Sequence, residues 1–376
     1  MRTNGPRIAI VADYLNQRGG AEWVVAVLHE LFPDAPIYTT IADPVRLWPG
    51  LRGADIRVSW MQRLPGVLRR FKYYLPFYYL AVESMRLQEY DLVVSSSCAF
   101  GLGARARVDA THICYCHTPA RFVWNYAAYV EKEALGPAAR AVLPWMIGAV
   151  RRRDVAMARR PNYFVANSSA VANRIRIYYG REAVVIPPPV DINRFTPTEA
   201  PGDYYLVVSR LNPYKRIDLA VAAFNALRRP LLVVGEGPDR ARLERMAGPT
   251  IRFAGWLGDA EVARAYAGCR ALVFPGEEDF GIAPVEAGAA GRPVVAYQGG
   301  GALDTVLEGE TGVFFREPTV EALTDAVARL ERQPWSAARI RANAEHFGVD
   351  RFKGRFGRFV MERLAAGGRS TVPCAA

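Results

Sequence analysis

Residues 270–296 read RALVFPGEEDFGIAPVEAGAAGRPVVA and give the strongest single indication of how this chain folds. The segment has a short apolar run at each end, and apolar residues recur at helical spacing from about Ile282. Short apolar runs bounded by turn residues are typical of buried strands. A strand, a helix and a second strand in this order predict a βαβ unit, in which the strands are parallel and helices cover the sheet.

The same alternation continues along the rest of the chain. The second run of the opening segment continues as PVVAYQGG, and the further candidate strands of the second half are YYLVVSRL, PLLVVGEG, IRFAGWL and TGVFF. Those in the first half are RIAIVADY, PIYTT, DIRVSW, DLVVSSS, HICYCHTP and NYFVANSS. Between the halves, the three prolines of VVIPPPVDINRF predict a stiff, extended link. We therefore predict an α/β chain of two doubly wound domains with a boundary near residue 190.

Composition restricts the class of protein but not its partner. The chain has 376 residues, of which 51% are hydrophobic and 23% are charged, as in soluble globular proteins. Its net charge is +11, from 48 Lys and Arg against 37 Asp and Glu. This excess favours an anionic partner, and it leaves nucleic acid, a phosphorylated substrate and an acidic membrane surface open.

Cysteine usage predicts a reducing compartment, and hydropathy predicts no membrane-spanning helix. The five cysteines are scattered and no second Cys or His pair completes a zinc set, so buried free thiols in a cytosolic protein are expected. No apolar run approaches the roughly 18 residues of a membrane-spanning helix. We therefore expect a chain that does not cross a membrane by itself.

Two motifs of the first half lie at predicted strand ends, where doubly wound domains bind their ligands. Gly19 and Gly20 start a predicted helix, whose free amides can approach an anion, although a plain turn would look the same. His117 ends a strand before Thr-Pro, so it either points into a cleft or makes a structural hydrogen bond. The fingerprint G-x-G-x-x-G is absent, which argues against an NAD enzyme.

Arg210 and Lys215 lie in SRLNPYKRID, the loop that follows the first strand of the second half. Two cations before a helix that begins near Arg216 would neutralise a diphosphate, Arg by bidentate contacts and Lys as a point charge. Two solvated surface charges are the alternative interpretation.

Glu278 and Glu286 flank the turn of the opening segment. With a helix starting near Ile282, the amides of Phe280, Gly281 and Ile282 would face an anion or sugar hydroxyls. Both carboxylates could then accept hydrogen bonds from a polyhydroxylated ligand. The alternative is a helix-capping acid followed by an exposed helical acid.

No metal site is expected. The chain contains neither Asp-x-Asp nor His-Glu-x-x-His, so a metal-bridged diphosphate has no evident ligands. Positive charge for a leaving diphosphate would then come from Arg210, Lys215 and helix dipoles.

These motifs together resemble the retaining GT-B glycosyltransferases of the large bacterial family 4, which move a sugar from a nucleotide diphosphate. The resemblance covers nearly the whole chain and depends on the order of seven motifs: RGGAE, CHTP, SRLNPYKRID, VVGEGP, FAGWL, EEDFGIAPVEAGAAGRPVVA and GGGALDTVLEGETGVFF. It implies a GT-B fold of two Rossmann-like domains with an interdomain cleft. The implied divisions are an acceptor domain (1–190), a donor domain (191–345), a helix that crosses back to the first domain (346–366) and a tail (367–376).

The resemblance also assigns roles to residues. Arg210 and Lys215 would bind the donor diphosphate, and Glu286 would hold the ribose. Glu278 would grip the transferred sugar with the amides of Phe280, Gly281 and Ile282. Gly19 and Gly20 would border the diphosphate, His117 would contact the sugar near the reacting carbon, and the loops at Glu236 and Trp256-Leu257 would flank the base. The family often has Glu where this chain has Asp304, so no role is carried over to that position.

Within the family, CHTPARFVW and SRLNPYKRID most resemble GDP-mannose-dependent mannosyltransferases of O-antigen and exopolysaccharide assembly. The implied donor substrate is GDP-mannose, with no separate cofactor and with attack on the same face as the leaving group. A UDP-sugar transferase and a sugar-nucleotide epimerase are the enzymatic alternatives. A catalytically inert sugar-nucleotide binder is another alternative, and dispersed basic residues without a recognisable motif argue against nucleic acid as a partner.

Two basic segments suggest contact with a membrane. RRFKYYLPFYYLAVESMRL (69–87) mixes Arg and Lys with aromatic residues, and RRRDVAMARR (151–160) adds charge. Such a composition favours an anionic membrane interface. A buried helix with a basic rim, or a solvated basic helix face, would have the same composition. We therefore expect a peripheral protein on the inner face of the cytoplasmic membrane, with a lipid-linked glycan acceptor.

Overall fold

The computed structural model describes residues 5–124, 137–198 and 202–366. They form two compact units, which are described separately. Unit 1 takes the described residues up to Pro187 together with those from Lys353 onward, and unit 2 is Pro188–Phe352. The sequence placed the boundary near residue 190 and ended the second domain at 345. The predicted tail, 367–376, lies outside the described residues.

Unit 1 is built on a parallel sheet of seven strands in the order β3-β2-β1-β4-β5-β6-β7. The strands are β1 Ile8–Ala12, β2 Ile37–Thr39, β3 Ile56–Val58, β4 Leu92–Ser97, β5 Thr111–Cys116, β6 Tyr163–Ala166 and β7 Ala183–Val185. Six were predicted. The edge strand β7 was missed because it lies directly before the prolines that indicated a link.

Unit 2 is built on a parallel sheet of six strands in the order β10-β9-β8-β11-β12-β13. The strands are β8 Tyr205–Val208, β9 Leu231–Val234, β10 Ile251–Gly255, β11 Ala271–Phe274, β12 Val294–Tyr297 and β13 Gly312–Phe315. All six were predicted. In both sheets the strand order reverses beside the first strand, between β1 and β4 and between β8 and β11, which is where doubly wound sheets bind ligands.

Helices connect successive strands and cover the sheets. The α-helices with described backbones are α1 Gly20–Leu31, α2 Val67–Arg70, α3 Leu75–Glu83, α4 Arg121–Trp124, α5 Pro137–Met157, α6 Ser169–Tyr179, α7 Ile217–Leu227, α8 Arg240–Met246, α9 Asp259–Gly268, α10 Ile282–Ala289, α11 Ala302–Thr305, α12 Val320–Glu331, α13 Ala337–Glu345 and α14 Val349–Ala365. The ends of α6 show how local sequence determines where a helix begins and ends. Ser168 caps α6 by accepting from Val171 N, and Gly180 ends that helix in the left-handed region (φ 61°).

Strand burial explains why the strands read as apolar runs instead of alternating patterns. Every residue of β4 and β5 is buried, because helices cover both faces of the sheet. Within this buried layer Ser95 Oγ and His112 Nε2 form a 2.9 Å hydrogen bond. Burial lowers the pKa of His112 to about 3, so this histidine is a neutral structural group.

The last helix, α14, packs on unit 1 from Lys353 onward. The Phe356 ring is buried and lies edge-on to Tyr115, with centroids 6.1 Å apart. Lys353 Nζ is 2.6 Å from Glu30 Oε2, and Arg355 Nη2 donates to Val185 O at 3.1 Å. Among the described residues, no helix has the length and apolar character needed to cross a bilayer.

Candidate functional site

At the carboxyl edge of the sheet in unit 1, a buried carboxylate fixes the loops. Asp13 follows β1 and accepts hydrogen bonds from the backbone amides of residues 98–101 and from Ser97 Oγ at 3.1 Å. Burial raises the pKa of the Asp13 carboxyl, and the hydrogen bonds oppose that shift. Asp13 therefore ties the loop after β4 to the end of β1. Sequence reasoning missed it because a polar residue that ends a strand has no distinctive pattern.

Gly19 and Gly20 lie at the start of α1. Gly19 is the N-terminal cap in an extended conformation, and Gly20 is the first helical residue. Glu22 in the first helical turn is buried and accepts from Gln17 Nε2 at 2.9 Å. The amide end of α1 therefore already carries one carboxylate, which stabilises the helix dipole and limits how closely an anion can approach.

His117 is buried just after β5, and its position is fixed. Its Nε2 lies 2.8 Å from Ser96 Oγ, and its carbonyl accepts from Asn167 Nδ2 at 2.9 Å. The Tyr115 ring lies edge-on to the imidazole at a centroid distance of 5.2 Å. The structural hydrogen bond that the sequence offered as an alternative thus exists. Ser96 and Asn167 were not singled out, although both lie near the ends of predicted strands.

In unit 2, Lys215 and Glu278 form an ion pair. Lys215 ends the short 3₁₀ turn Pro213–Lys215 after β8, and Glu278 lies in the loop after the neighbouring strand β11. Both side chains are largely buried, with 14% and 19% of their surface exposed. The two loops approach so closely that a Cβ at Gly276 would lie 2.6 Å from Lys215 O. Glycine is therefore required at position 276, the second residue of the PGEE segment.

Arg210 lies in the same loop as Lys215 and is exposed. Within the described part of the chain, its guanidinium makes no hydrogen bond or ion pair. Lys215 Nζ lies 5.3 Å from the centroid of the Tyr214 ring, which is partly exposed. The loop after β8 thus presents one uncompensated cation next to a cation that is neutralised by Glu278.

The loop after β11 leads into α10, which begins at Ile282 as predicted. Gly281 has a left-handed conformation (φ 82°) and caps the helix, and Phe280 is buried. Glu278 O accepts from Gly301 N at 2.8 Å, so the triple-glycine loop packs on this backbone. Asp304, the departure from the family pattern, lies in the short helix α11 after that loop.

Glu286 lies in the second turn of α10 and is held by a tyrosine. Tyr266 OH donates to Glu286 Oε2 at 2.9 Å, and the tyrosine is fully buried in α9. Burial raises the pKa of the Glu286 carboxyl, and the hydrogen bond from Tyr266 opposes the shift. Tyr266 was missed because an apolar helical face gives no sign that one hydroxyl reaches a carboxylate on the next helix.

A second pair of opposite charges lies beyond β9 and β10. Glu236 pairs with Arg240, whose Nε also donates to Glu244 Oε1 at 2.7 Å. Gly255 has a left-handed conformation (φ 71°), and a Cβ there would lie 2.9 Å from Glu236 Oε1. The next residue, Trp256, is 77% exposed, while Leu257 is half-buried against the core. Arg240 was not predicted as part of this region.

The site residues thus divide between the units. The structure places Gly19, Gly20 and His117 at the carboxyl edge of unit 1, and the remaining predicted residues at the corresponding edge of unit 2. Within residues 5–124, 137–198 and 202–366, no cluster of three or more His, Cys, Asp or Glu side chains has the arrangement of a metal site.

Two protein families match the chain in succession. Residues 18–194 match the family "Glycosyltransferase Family 4", and residues 191–347 match "Glycosyl transferases group 1". A "GDP-mannose-dependent alpha-mannosyltransferase" of Mycolicibacterium smegmatis is 31% identical over 87% of this chain and 85% of the relative. A "GDP-mannose-dependent alpha-(1-6)-phosphatidylinositol monomannoside mannosyltransferase" of the same organism is 32% identical over 49% of this chain. That match spans only 56% of the relative's length. Relatives of similar identity also include a D-inositol 3-phosphate glycosyltransferase and glycogen synthases.

Solved structures agree with the fold. Sucrose-phosphate synthase from Thermosynechococcus elongatus superposes with a TM-score of 0.72 at 19% identity, over 96% of this chain and 100% of that protein. At this identity the likeness supports the architecture alone. Taken with the two family matches and the relative at 31% identity, it shows that the chain belongs to the GT-B glycosyltransferases.

Proposed function

We propose that this protein is a retaining, metal-independent mannosyltransferase that uses GDP-mannose and a lipid-linked glycan acceptor. The observation that carries the proposal is the Lys215–Glu278 ion pair, with Arg210 uncompensated beside it. The pair joins the loop after β8, which would bind the diphosphate, to the loop after β11, which would bind the sugar. The two loops lie where the strand order of unit 2 reverses.

Charge explains how these residues would receive the donor. A bound diphosphate would contact Arg210 and Lys215, and Lys215 would then exchange part of its interaction with Glu278 for phosphate oxygens. Glu278 would be free to accept hydrogen bonds from sugar hydroxyls. The ion pair thus keeps both side chains oriented before the donor binds, which reduces the cost of ordering them.

The same pairing supports binding roles for the two glutamates. Glu278 is neutralised by Lys215, and Glu286 is held by Tyr266, so neither is placed as an uncommitted nucleophile. We propose same-face attack instead. As the bond from the anomeric carbon to the diphosphate oxygen breaks, the acceptor hydroxyl bonds to that carbon and its proton passes to the departing phosphate. Arg210 and Lys215 would stabilise the charge that develops on the diphosphate, in the role that a metal ion has in other transferases.

Glu236 and Arg240 support guanine as the base. Guanine presents N–H donors that a carboxylate can accept, and O6 and N7 acceptors that a guanidinium can reach. A paired Glu and Arg beside the exposed Trp256 offers both types of group. The two mannosyltransferase relatives are named as GDP-mannose-dependent, which favours the same donor.

An exposed aromatic surface in unit 1 supports contact with a membrane. It consists of Trp60, Tyr73, Phe77 and Leu80, with exposed Arg69 and Arg70 nearby. Tyr73 is 85% exposed, and the rings of Trp60 and Phe77 lie 6.0 Å apart. The opposite face of α3 is buried through Tyr78, Tyr79 and Val82. Apolar rings beside cations suit an anionic interface, where a lipid-linked acceptor would be presented.

A donor screen tests the proposal. Thermal unfolding is measured with GDP-mannose, UDP-glucose and ADP-glucose at equal concentration, because a ligand that binds the native state raises the melting temperature. We expect the largest shift with GDP-mannose. Mass spectrometry of reactions with membrane extracts as acceptor then detects lipid-linked products that are heavier by one hexose. A larger shift with a UDP-sugar would refute the donor, and conversion of GDP-mannose to an epimer without an acceptor would indicate an epimerase.

A further inference from the structure

Unit 2 has a cavity at the edge of its sheet opposite to the donor motifs. The cavity has a volume of about 590 Å³. Its walls include residues just before three strands: Asp203 before β8, Arg270 before β11 and Pro293 before β12. Arg210 and Glu278 instead follow the other ends of β8 and β11. A four-residue strand is about 13 Å long, so the cavity is separate from the donor-binding loops.

Three polar side chains in the wall of this cavity are exposed and uncommitted. They are Asp203, Arg270 and Gln333. Within the described part of the chain, none of the three side chains makes a hydrogen bond or an ion pair. They offer a carboxylate that accepts, a guanidinium that donates and an amide that does both.

Hydrogen bonds fix the other polar side chains of the wall. Trp335 is half-buried, and its Nε1 donates to Leu330 O at 2.9 Å, so its only polar group is already used and the ring supplies apolar surface. Arg292 is buried and donates to Ala267 O at 3.0 Å and to Thr198 O at 2.8 Å. Glu331 Oε1 accepts from Tyr205 OH at 2.9 Å. A fixed aromatic side chain beside adaptable polar groups is the usual make-up of a small-molecule site.

The charges of the wall favour a neutral ligand. Glu331 is paired with Arg229 at 3.3 Å, and the Arg292 guanidinium donates to backbone carbonyls, so Arg270 and Asp203 are the uncommitted charges of the wall and they cancel. A phosphate or nucleotide would therefore gain little net attraction and would meet the carboxylate of Asp203. A ligand with many hydroxyls can pair with donors and acceptors together, while its C–H faces contact Trp335.

We propose that this cavity is a second saccharide-binding site, which takes one or two neutral hexose units of a glycan. Its volume lies within the range of about 300 to 1,000 Å³ that is typical of small-ligand sites. The choice of ligand rests on the proposed function, because a glycosyltransferase meets glycans as acceptor or product. The site would hold part of a glycan away from the reacting end and so raise its local concentration.

Ligand-observed saturation-transfer NMR on the full chain tests this proposal. The probes are the methyl α-glycosides of mannose, glucose and galactose, with saturating GDP present to occupy the donor site. We expect at least one glycoside to bind with a Kd on the order of 1 to 10 mM. Arg270→Ala and Gln333→Ala should each weaken its binding about fivefold, because each removes a hydrogen-bonding group. Arg332→Ala, an exposed neighbour outside the cavity wall, is the matched control and should bind as the unmodified protein does.

Three results would overturn the inference: no glycoside binds, both variants bind normally, or GDP abolishes the signal. Turnover of GDP-mannose by the same samples separates this inference from the proposed function. A protein that transfers mannose but binds no glycoside here contradicts only the second site. A protein that binds a glycoside here, loses it in both variants and does not turn over GDP-mannose supports the second site and contradicts the proposed function.

Discussion

Tyr266→Phe removes the single hydroxyl that holds Glu286, and its effect can be worked out from the contact. The hydrogen bond from Tyr266 OH to Glu286 Oε2 is 2.9 Å long and is made within a buried environment. A hydrogen bond to a charged group contributes about 1.5 to 3 kcal/mol. If Glu286 binds the ribose, losing this orientation should weaken GDP affinity by roughly 10-fold, since 1.4 kcal/mol corresponds to a factor of ten.

The pH dependence of GDP affinity provides a second readout. Burial raises the pKa of Glu286, whereas the hydrogen bond from Tyr266 lowers it. A protonated Glu286 can no longer accept both ribose hydroxyl hydrogens, so affinity should fall as the pH is lowered through the Glu286 pKa. Without the tyrosine hydroxyl that pKa rises further, and the fall in affinity should begin at a higher pH. A purely structural role for Tyr266 would not move this profile.

Isothermal titration calorimetry with GDP at several pH values measures both effects. Tyr204→Phe is the matched control, because Tyr204 OH donates to Ala265 O of the same helix at 2.8 Å and does not contact Glu286. A Tyr266→Phe variant that keeps the unmodified affinity and pH profile, or a Tyr204→Phe variant that loses as much affinity, would refute this role of Tyr266.

Three further predictions address other parts of the account. Gly276→Ala should cut turnover at least 10-fold and destabilise the fold by about 1 to 3 kcal/mol, because its Cβ would lie 2.6 Å from Lys215 O. The control is Gly148→Ala, whose Cβ meets nothing within 4 Å. Normal turnover in Gly276→Ala would contradict the close approach of the two loops. Asp154→Asn should raise the melting temperature near pH 7.5 and lose that advantage near pH 4. Burial raises the Asp154 pKa to about 6, so the native state binds more protons than the unfolded state between about pH 4 and 6 and loses stability as the pH rises; equal melting curves at both pH values would contradict this. Phe77→Glu should reduce the amount of protein that sediments with anionic vesicles at least threefold. It should not lower the melting temperature, because Phe77 is 43% exposed in the aromatic surface. Unchanged sedimentation would exclude that surface from membrane contact.

The sequence was sufficient for the architecture because parallel strands buried on both faces leave apolar runs that need no knowledge of tertiary contacts. It also located the start of α10 at Ile282, since the glycine of the preceding turn marks the helix boundary. The strand β7 was missed because a three-residue edge strand is too short for a periodic signal and was read as part of the proline link.

The contacts within the site depended on tertiary structure. Lys215 and Glu278 are separated along the chain by three strands and three helices, and they meet only because β8 and β11 are neighbours in the sheet. Asp13 at the end of β1 holds the backbone amides that follow β4, and Tyr266 of α9 holds Glu286 of α10, and no local pattern reveals either contact. Motif reasoning thus found groups that can face a ligand, and it missed the groups that hold them in place.

The central claim is that Arg210 and Lys215 bind the diphosphate of a guanine nucleotide, and GDP titration of single variants tests it most directly. Arg210 makes no ion pair with the rest of the described chain, so Arg210→Ala should leave the melting temperature unchanged. Because a charge-assisted contact contributes about 1.5 to 3 kcal/mol, its Kd for GDP should rise roughly 10- to 100-fold. Arg332→Ala should bind GDP as the unmodified protein does, and UDP should bind more weakly than GDP to all three proteins. An Arg210→Ala variant that binds GDP with unchanged affinity would contradict the account.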